Sequence, residues 1–100
     1  MNKYMKPVTM GEFLKDYMKD YNLSAYRLAK DINVPVSRIQ DLLHDRRKMT
    51  IDTSMRLGKY FNLEDGLFFF KVQTDLDYKA AKLEMKKELD SIKPITSFIR

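Results

Sequence analysis

Residues 36 to 48 collect side chains that can match hydrogen-bonding surfaces in several ways. Val36, Ser37, Arg38, Gln40 and Asp41 fall in one short run, and Arg46, Arg47 and Lys48 follow it closely. An arginine offers two donors to the O6 and N7 acceptors of guanine, and a glutamine amide pairs with the N6 and N7 edge of adenine. Serine can donate or accept, valine suits the methyl group of thymine, and aspartate can accept from the amino group of cytosine. Asp41 is more naturally read as orienting Arg38 or acting through a water. Together these are the side chains that read base edges in a duplex groove. The Arg46-Arg47-Lys48 triplet supplies positive charge against phosphate, which holds register without reading sequence.

Each of these residues is also ordinary on a solvated helix, so the elements that carry them decide. Residues 24 to 44, SAYRLAKDINVPVSRIQDLLH, read as two short helices joined by a tight turn. Ser24 is placed to cap the first and to set its N-terminus near a phosphate. Leu28, Ala29 and Ile32 form its inward stripe, with Ala29 small enough to let the second helix approach. Asn33 suits the left-handed conformation that closes a helix. Pro35 fits the first turn of the next helix, with Ser37 as an alternative cap. Ile39, Leu42 and Leu43 point inward, leaving residues 36–41 to enter a major groove as a helix-turn-helix does.

The rest of the chain also reads as helix. Thr9-Met10-Gly11-Glu12 is a capping box. It opens a helix to about Tyr21 with Phe13, Leu14, Tyr17 and Met18 on one face. Thr50 or Asp52 caps a helix whose inward residues are Met55, Leu57, Tyr60 and Phe61. A further helix starts near Glu64-Asp65 and carries Leu67, Phe68, Phe70 and Val72, with Phe68 and Phe70 completing the core. Asp75 or Asp77 caps a last helix to about Ile92, striped by Tyr78, Ala81, Met85, Leu89 and Ile92, and Pro94 stops it. The expected fold is all-α, a bundle of five to six helices with a C-terminal helix. Residues 1–8 form a flexible N-terminal arm, 9–72 a DNA-binding domain, and 73–100 a C-terminal helix and tail for dimerisation or partner contact.

Bulk properties fit this. One hundred residues suffice for one small domain, and such domains often gain stability by pairing. The net charge is +5, unevenly spread: residues 1–50 hold ten Lys and Arg against six Asp and Glu, residues 51–100 nine against eight. A basic N-terminal half suits phosphate contact. Cysteine is absent, which excludes disulfides and thiolate metal sites. No apolar run reaches membrane-spanning length and the first residues lack a secretory apolar stretch, so a cytoplasmic protein without a membrane partner is expected. His44 is the one histidine, too few ligands for a His-Asp metal centre. With no nucleophile–base set or phosphate loop, neither an enzyme nor a cofactor is expected.

In ordered combination these residues resemble a known family. Ser24-Ala25-Tyr26-Arg27-Leu28-Ala29-Lys30, Val34-Pro35, Ser37-Arg38-Ile39, Arg46-Arg47 and Thr50-Ile51-Asp52-Thr53 are similar to the HigA-type antitoxins of the phage-repressor-like (Xre/Cro) helix-turn-helix group. The entry segment Pro7-Val8-Thr9-Met10-Gly11-Glu12-Phe13-Leu14 is similar to that family's Pro-Gly-Glu-x-Leu start. The resemblance covers residues 7–63. It implies a homodimer on an operator palindrome in its own promoter, and a RelE-like mRNA-cleaving toxin as the partner it silences. Alternatives are a free-standing phage-type repressor and a helical interaction module that does not bind DNA. The chain departs from the family in having His44-Asp45 where Asn-Gly is usual, and aspartate tolerates a left-handed backbone less well than glycine. Met49 replaces a β-branched residue, and Glu64-Asp65-Gly66 with three phenylalanines replaces a Pro and Trp.

Overall fold

The computed structural model describes residues 9–96. The arm expected over residues 1–8, including Pro7 and Val8, and the Phe98-Ile99 end of the tail lie outside them. The described chain holds α1 (Met10–Asp20), α2 (Ala25–Ile32), α3 (Val36–Leu43), α4 (Ile51–Tyr60), α5 (Phe68–Glu84) and α6 (Lys86–Ser91), and no strand. The fold is therefore the expected all-α bundle of six helices.

Four successive turns are built alike. Asn22, Asn33, Asp45 and Asn62 take positive φ, from 54° to 63°. Each amide donates to the carbonyl three residues back, and the following amide donates five residues back: Leu23 to Met18, Val34 to Ala29, Arg46 to Asp41 and Leu63 to Gly58. These paired bonds are Schellman closures, which satisfy the last carbonyls of a helix and need a residue that tolerates the left-handed region. Leu23, Val34 and Leu63, just past the turn, pack on the core. At the third turn that position is Arg46, which is exposed.

The Asp45 turn explains the departure from Asn-Gly. Asp45 adopts the left-handed backbone that glycine would favour. Its Oδ1 also accepts a 2.8 Å hydrogen bond from the Gly11 amide in the first turn of α1, 34 residues away. A glycine could supply the backbone but not the acceptor, nor the negative charge that a helix N-terminus favours. Thr9 and Glu12 complete the capping box at the same end.

Phe69, Leu14, Leu28, Ile39, Leu42 and Leu57 are fully buried at the junction of α1 to α5. Two buried polar side chains hold loops to it. Ser54 Oγ donates to the Gly66 carbonyl at 2.8 Å and accepts from the Phe70 amide at 3.0 Å, capping α5 from α4. Gln73 Oε1 accepts from the Met49 amide at 2.9 Å, tying the α3–α4 loop to α5.

Several expectations need correction. Pro35 is the N-cap of α3 and Ser37 lies inside the helix, not at its cap. Thr50, not Asp52, caps α4. The inward face of α4 is Thr53, Ser54, Leu57 and Gly58, while Met55 is 56% exposed. Gly58 sits inward because its α-carbon passes close to the α4–α5 loop, where a Cβ would lie 3.1 Å from Gly66 Cα. The fully buried phenylalanine is Phe69, whereas Phe68 and Phe70 are half-buried. This follows from α5 beginning at Phe68, after an Asp65 turn whose Oδ1 accepts from the Leu67 amide. Asp75 and Asp77 cap nothing, since α5 runs through both to Glu84; a break at Met85 then separates α6. From Tyr78 to Ile92 every residue is exposed, so the expected apolar stripe has no cover among the described residues.

Candidate nucleic-acid interface

The pair α2 and α3 is joined by Asn33-Val34-Pro35. Ser24 caps α2 by accepting from the Arg27 amide at 3.0 Å. Ala29 is buried where α2 and α3 pack, as a close crossing requires. On α3 the spacing divides the residues: Ile39 and Leu42 are buried, and Val36 and Leu43 pack partly against the core. Ser37, Gln40 and His44 form an exposed row at helical spacing, with half-buried Asp41 beside it.

The charged residues are not independent. Arg38 Nη1 lies 3.4 Å from Asp52 Oδ1 at the start of α4. Asp41 does not orient Arg38; its carboxylate is held by Arg46, at 3.1 Å from Nε and from Nη2. Lys48 lies 2.7 Å from Asp77 on α5, so a phosphate contact from Lys48 competes with that carboxylate. Arg47 is exposed and makes no ion pair among the described residues. His44 closes α3 with Nδ1 2.8 Å from the Gln40 carbonyl, a distance that fits donation from the Nδ1–H tautomer.

Two networks escape a reading by local pattern. Arg56 donates from Nε to Asp52 Oδ1 at 2.7 Å and from Nη1 to the Ile32 and Asn33 carbonyls at 2.9 and 3.4 Å. It thereby ties α4 to the last carbonyls of α2. Asp31 Oδ2 accepts from Tyr60 Oη at 2.6 Å and from Arg27 Nε at 2.9 Å, a second tie between α2 and α4. The i,i+4 pairs Arg27–Asp31 and Asp52–Arg56 are visible as spacing, but their partners across the fold are not.

These bonds shift the titration of their members. Asp31 is held below the ordinary carboxylate range, chiefly by the Tyr60 hydrogen bond and then by Arg27. Asp52 is lowered chiefly by the Arg56 hydrogen bond, and Asp65 by that of Lys71. The Tyr60 phenol is raised by donating to Asp31. For the three carboxylates, whose folded pKa is depressed, stability is present above the unfolded value near pH 4 and lost as pH falls through the folded value. For Tyr60, raised, it is present below about pH 10 and lost as pH climbs past the folded value. The melting temperature should therefore be flat through neutrality and fall below about pH 4, and Asp31→Asn should flatten the acid limb. An acid limb unchanged by Asp31→Asn in a pH series of melts would count against this.

Comparison with known proteins agrees with this geometry. Residues 14–64 match the model of the Cro/C1-type HTH DNA-binding domain, a span that includes α2, α3 and α4. Virulence-associated protein I of Dichelobacter nodosus is 35% identical over 97 residues, covering 96% of this chain and 88% of that one. An addiction module antidote protein of a HigA family from Coxiella burnetii superposes with a TM-score of 0.81 at 30% identity, over 89% of this chain and 98% of that one. A Pseudomonas aeruginosa protein solved in complex with its operator DNA has the same TM-score at 25% identity, over 90% and 100% of the two chains. The half of this chain that carries the exposed α3 row is thus the half the family model recognises, and the chain belongs to the Cro/C1-type helix-turn-helix DNA-binding family.

Proposed function

We propose that this chain is a HigA-type antitoxin that binds operator DNA through α3 and represses its own operon. It acts as a homodimer and silences a RelE-like mRNA-cleaving toxin. The observation that carries this is the exposed row on α3 with Arg38 at its flank, mounted on a helix-turn-helix. The Coxiella burnetii antidote protein and the operator-bound Pseudomonas aeruginosa protein support it by likeness along nearly the whole chain. In this assignment Val36, Ser37, Arg38, Gln40 and Asp41 face base edges, Val36 with the part of its side chain that the core leaves free. Ser24, Arg46, Arg47 and Lys48 meet phosphate. Residues 9–72 form the DNA-binding unit, and the uncovered apolar stripe beyond it makes the dimer or toxin contact. No helix among the described residues is long and apolar enough to cross a membrane, and a cytoplasmic location fits the role.

The test is duplex binding across a salt series. Arg38→Ala should cost about 1–3 kcal/mol on the preferred duplex and relax one base position. Equal losses on preferred and random duplexes would reduce Arg38 to a phosphate contact. Arg47→Ala should weaken all duplexes alike and flatten the log–log salt slope by about one. An unchanged slope would remove Arg47 from the interface. Co-purification with the product of the neighbouring gene tests the toxin assignment, and failure to recover such a complex would favour a free-standing repressor.

A further inference from the structure

Of the outward residues on α3, Arg38 is the one tied to another helix among the described residues. Its partner, Asp52, belongs to α4, and the same Oδ1 atom accepts from Arg38 Nη1 at 3.4 Å and from Arg56 Nε at 2.7 Å. Arg56 is itself fastened to the carbonyls of Ile32 and Asn33, at the turn that leads into α3. The carboxylate touching Arg38 is therefore registered against the backbone that places Arg38's own helix. Neither Ser37 nor Gln40 makes a side-chain hydrogen bond among the described residues, and Asp41 is occupied by Arg46.

A lone arginine on a helix samples many rotamers and reaches phosphate as readily as a base. Holding one guanidinium nitrogen against a fixed carboxylate restricts that freedom and leaves its other donors for a planar, two-point contact. The carboxylate also repels phosphate, so it opposes binding that rests on charge alone. Affinity for any duplex and discrimination between duplexes are thereby pulled in opposite directions by one side chain.

Resting on the DNA-reading assignment above, we propose that Asp52 is a positioning residue that sets sequence discrimination by orienting Arg38. Its carboxylate, held in place by Arg56, acts through the reader and not on the base.

The probe is the duplex that the wild-type chain enriches from a randomised library, compared with a scrambled duplex at one salt concentration. Asp52→Asn should lower the ratio of the two affinities by about fivefold or more, the lower end of what one arginine–base pair supplies. Binding to the scrambled duplex should stay equal or tighten. Asp52→Glu should recover part of the ratio, and adding Asp52→Asn to Arg38→Ala should change the ratio no further. Asp52→Ser removes the carboxylate while suiting the first turn of a helix, and it should repeat the result if Asn melts too low to assay. Equal weakening on both duplexes would show a merely structural role and overturn the proposal. So would a wild-type ratio in Asp52→Asn, or an undiminished effect in the Arg38→Ala background. A wild-type chain that enriches no sequence would overturn the DNA-reading assignment itself, an outcome distinct from the others.

Discussion

Phe69→Ala should destabilise the fold by about 3–5 kcal/mol, the range for deleting a buried aromatic ring. Phe69 has no exposed surface. Its ring meets Tyr17 edge-on at 5.2 Å, Phe13 at 6.0 Å and Phe68 at 5.2 Å, and Phe61 at 6.0 Å. One side chain thus joins α1, the end of α4 and the start of α5. A domain of this size has about twice that stability in total, so the variant should be largely unfolded at mild denaturant concentrations. Phe68→Ala and Phe70→Ala remove half-buried rings and should cost clearly less. Urea unfolding of the three variants checks the order, and a Phe70→Ala loss equal to that of Phe69→Ala would contradict it.

Gly11→Ala should also destabilise, against the usual preference of helices for alanine. That preference favours Ala by about 1 kcal/mol in a helix interior. Here a Cβ would fall 2.4 Å from the Leu43 carbonyl oxygen and 2.9 Å from that of Leu42. Both obstacles are backbone, so no side chain can swing aside; α1 and α3 must separate. Overpacking of this kind costs about 1–3 kcal/mol, and the displacement also strains the Gly11–Asp45 hydrogen bond. The steric term should win, lowering the melting temperature by several degrees. A higher melting temperature for Gly11→Ala would show that the helices yield without cost.

Neither residue announces its role locally. In Leu67-Phe68-Phe69-Phe70 each position is apolar, so helical spacing alone cannot say which ring faces in. That depends on where α5 begins, and the Asp65 turn and Ser54 set its first turn from α4. Gly11 likewise looks like part of a capping box, and nothing local records that α3 passes over it.

Local chemistry was enough for much else. The Thr9 and Ser24 caps, the Asn33 closure and the Leu28–Ala29–Ile32 stripe depend on neighbours within one helical turn. So did the helix-turn-helix, because its two helices and turn are contiguous in the chain and its apolar spacing shows which faces close. The sequence by itself therefore determined the all-α class, the helix-turn-helix and the outward row of Ser37 and Gln40. The tertiary structure alone decided which charges are spoken for. Lys48 goes to Asp77, Asp41 to Arg46 and Arg38 to Asp52, and Asp45 turns from an unfavourable substitute for glycine into a cap for α1. Three of these four bonds join residues 14 to 34 positions apart, the Asp41–Arg46 pair being the local exception. A side chain's bonding capacity is written in its type, but its partner is chosen by where the chain folds back.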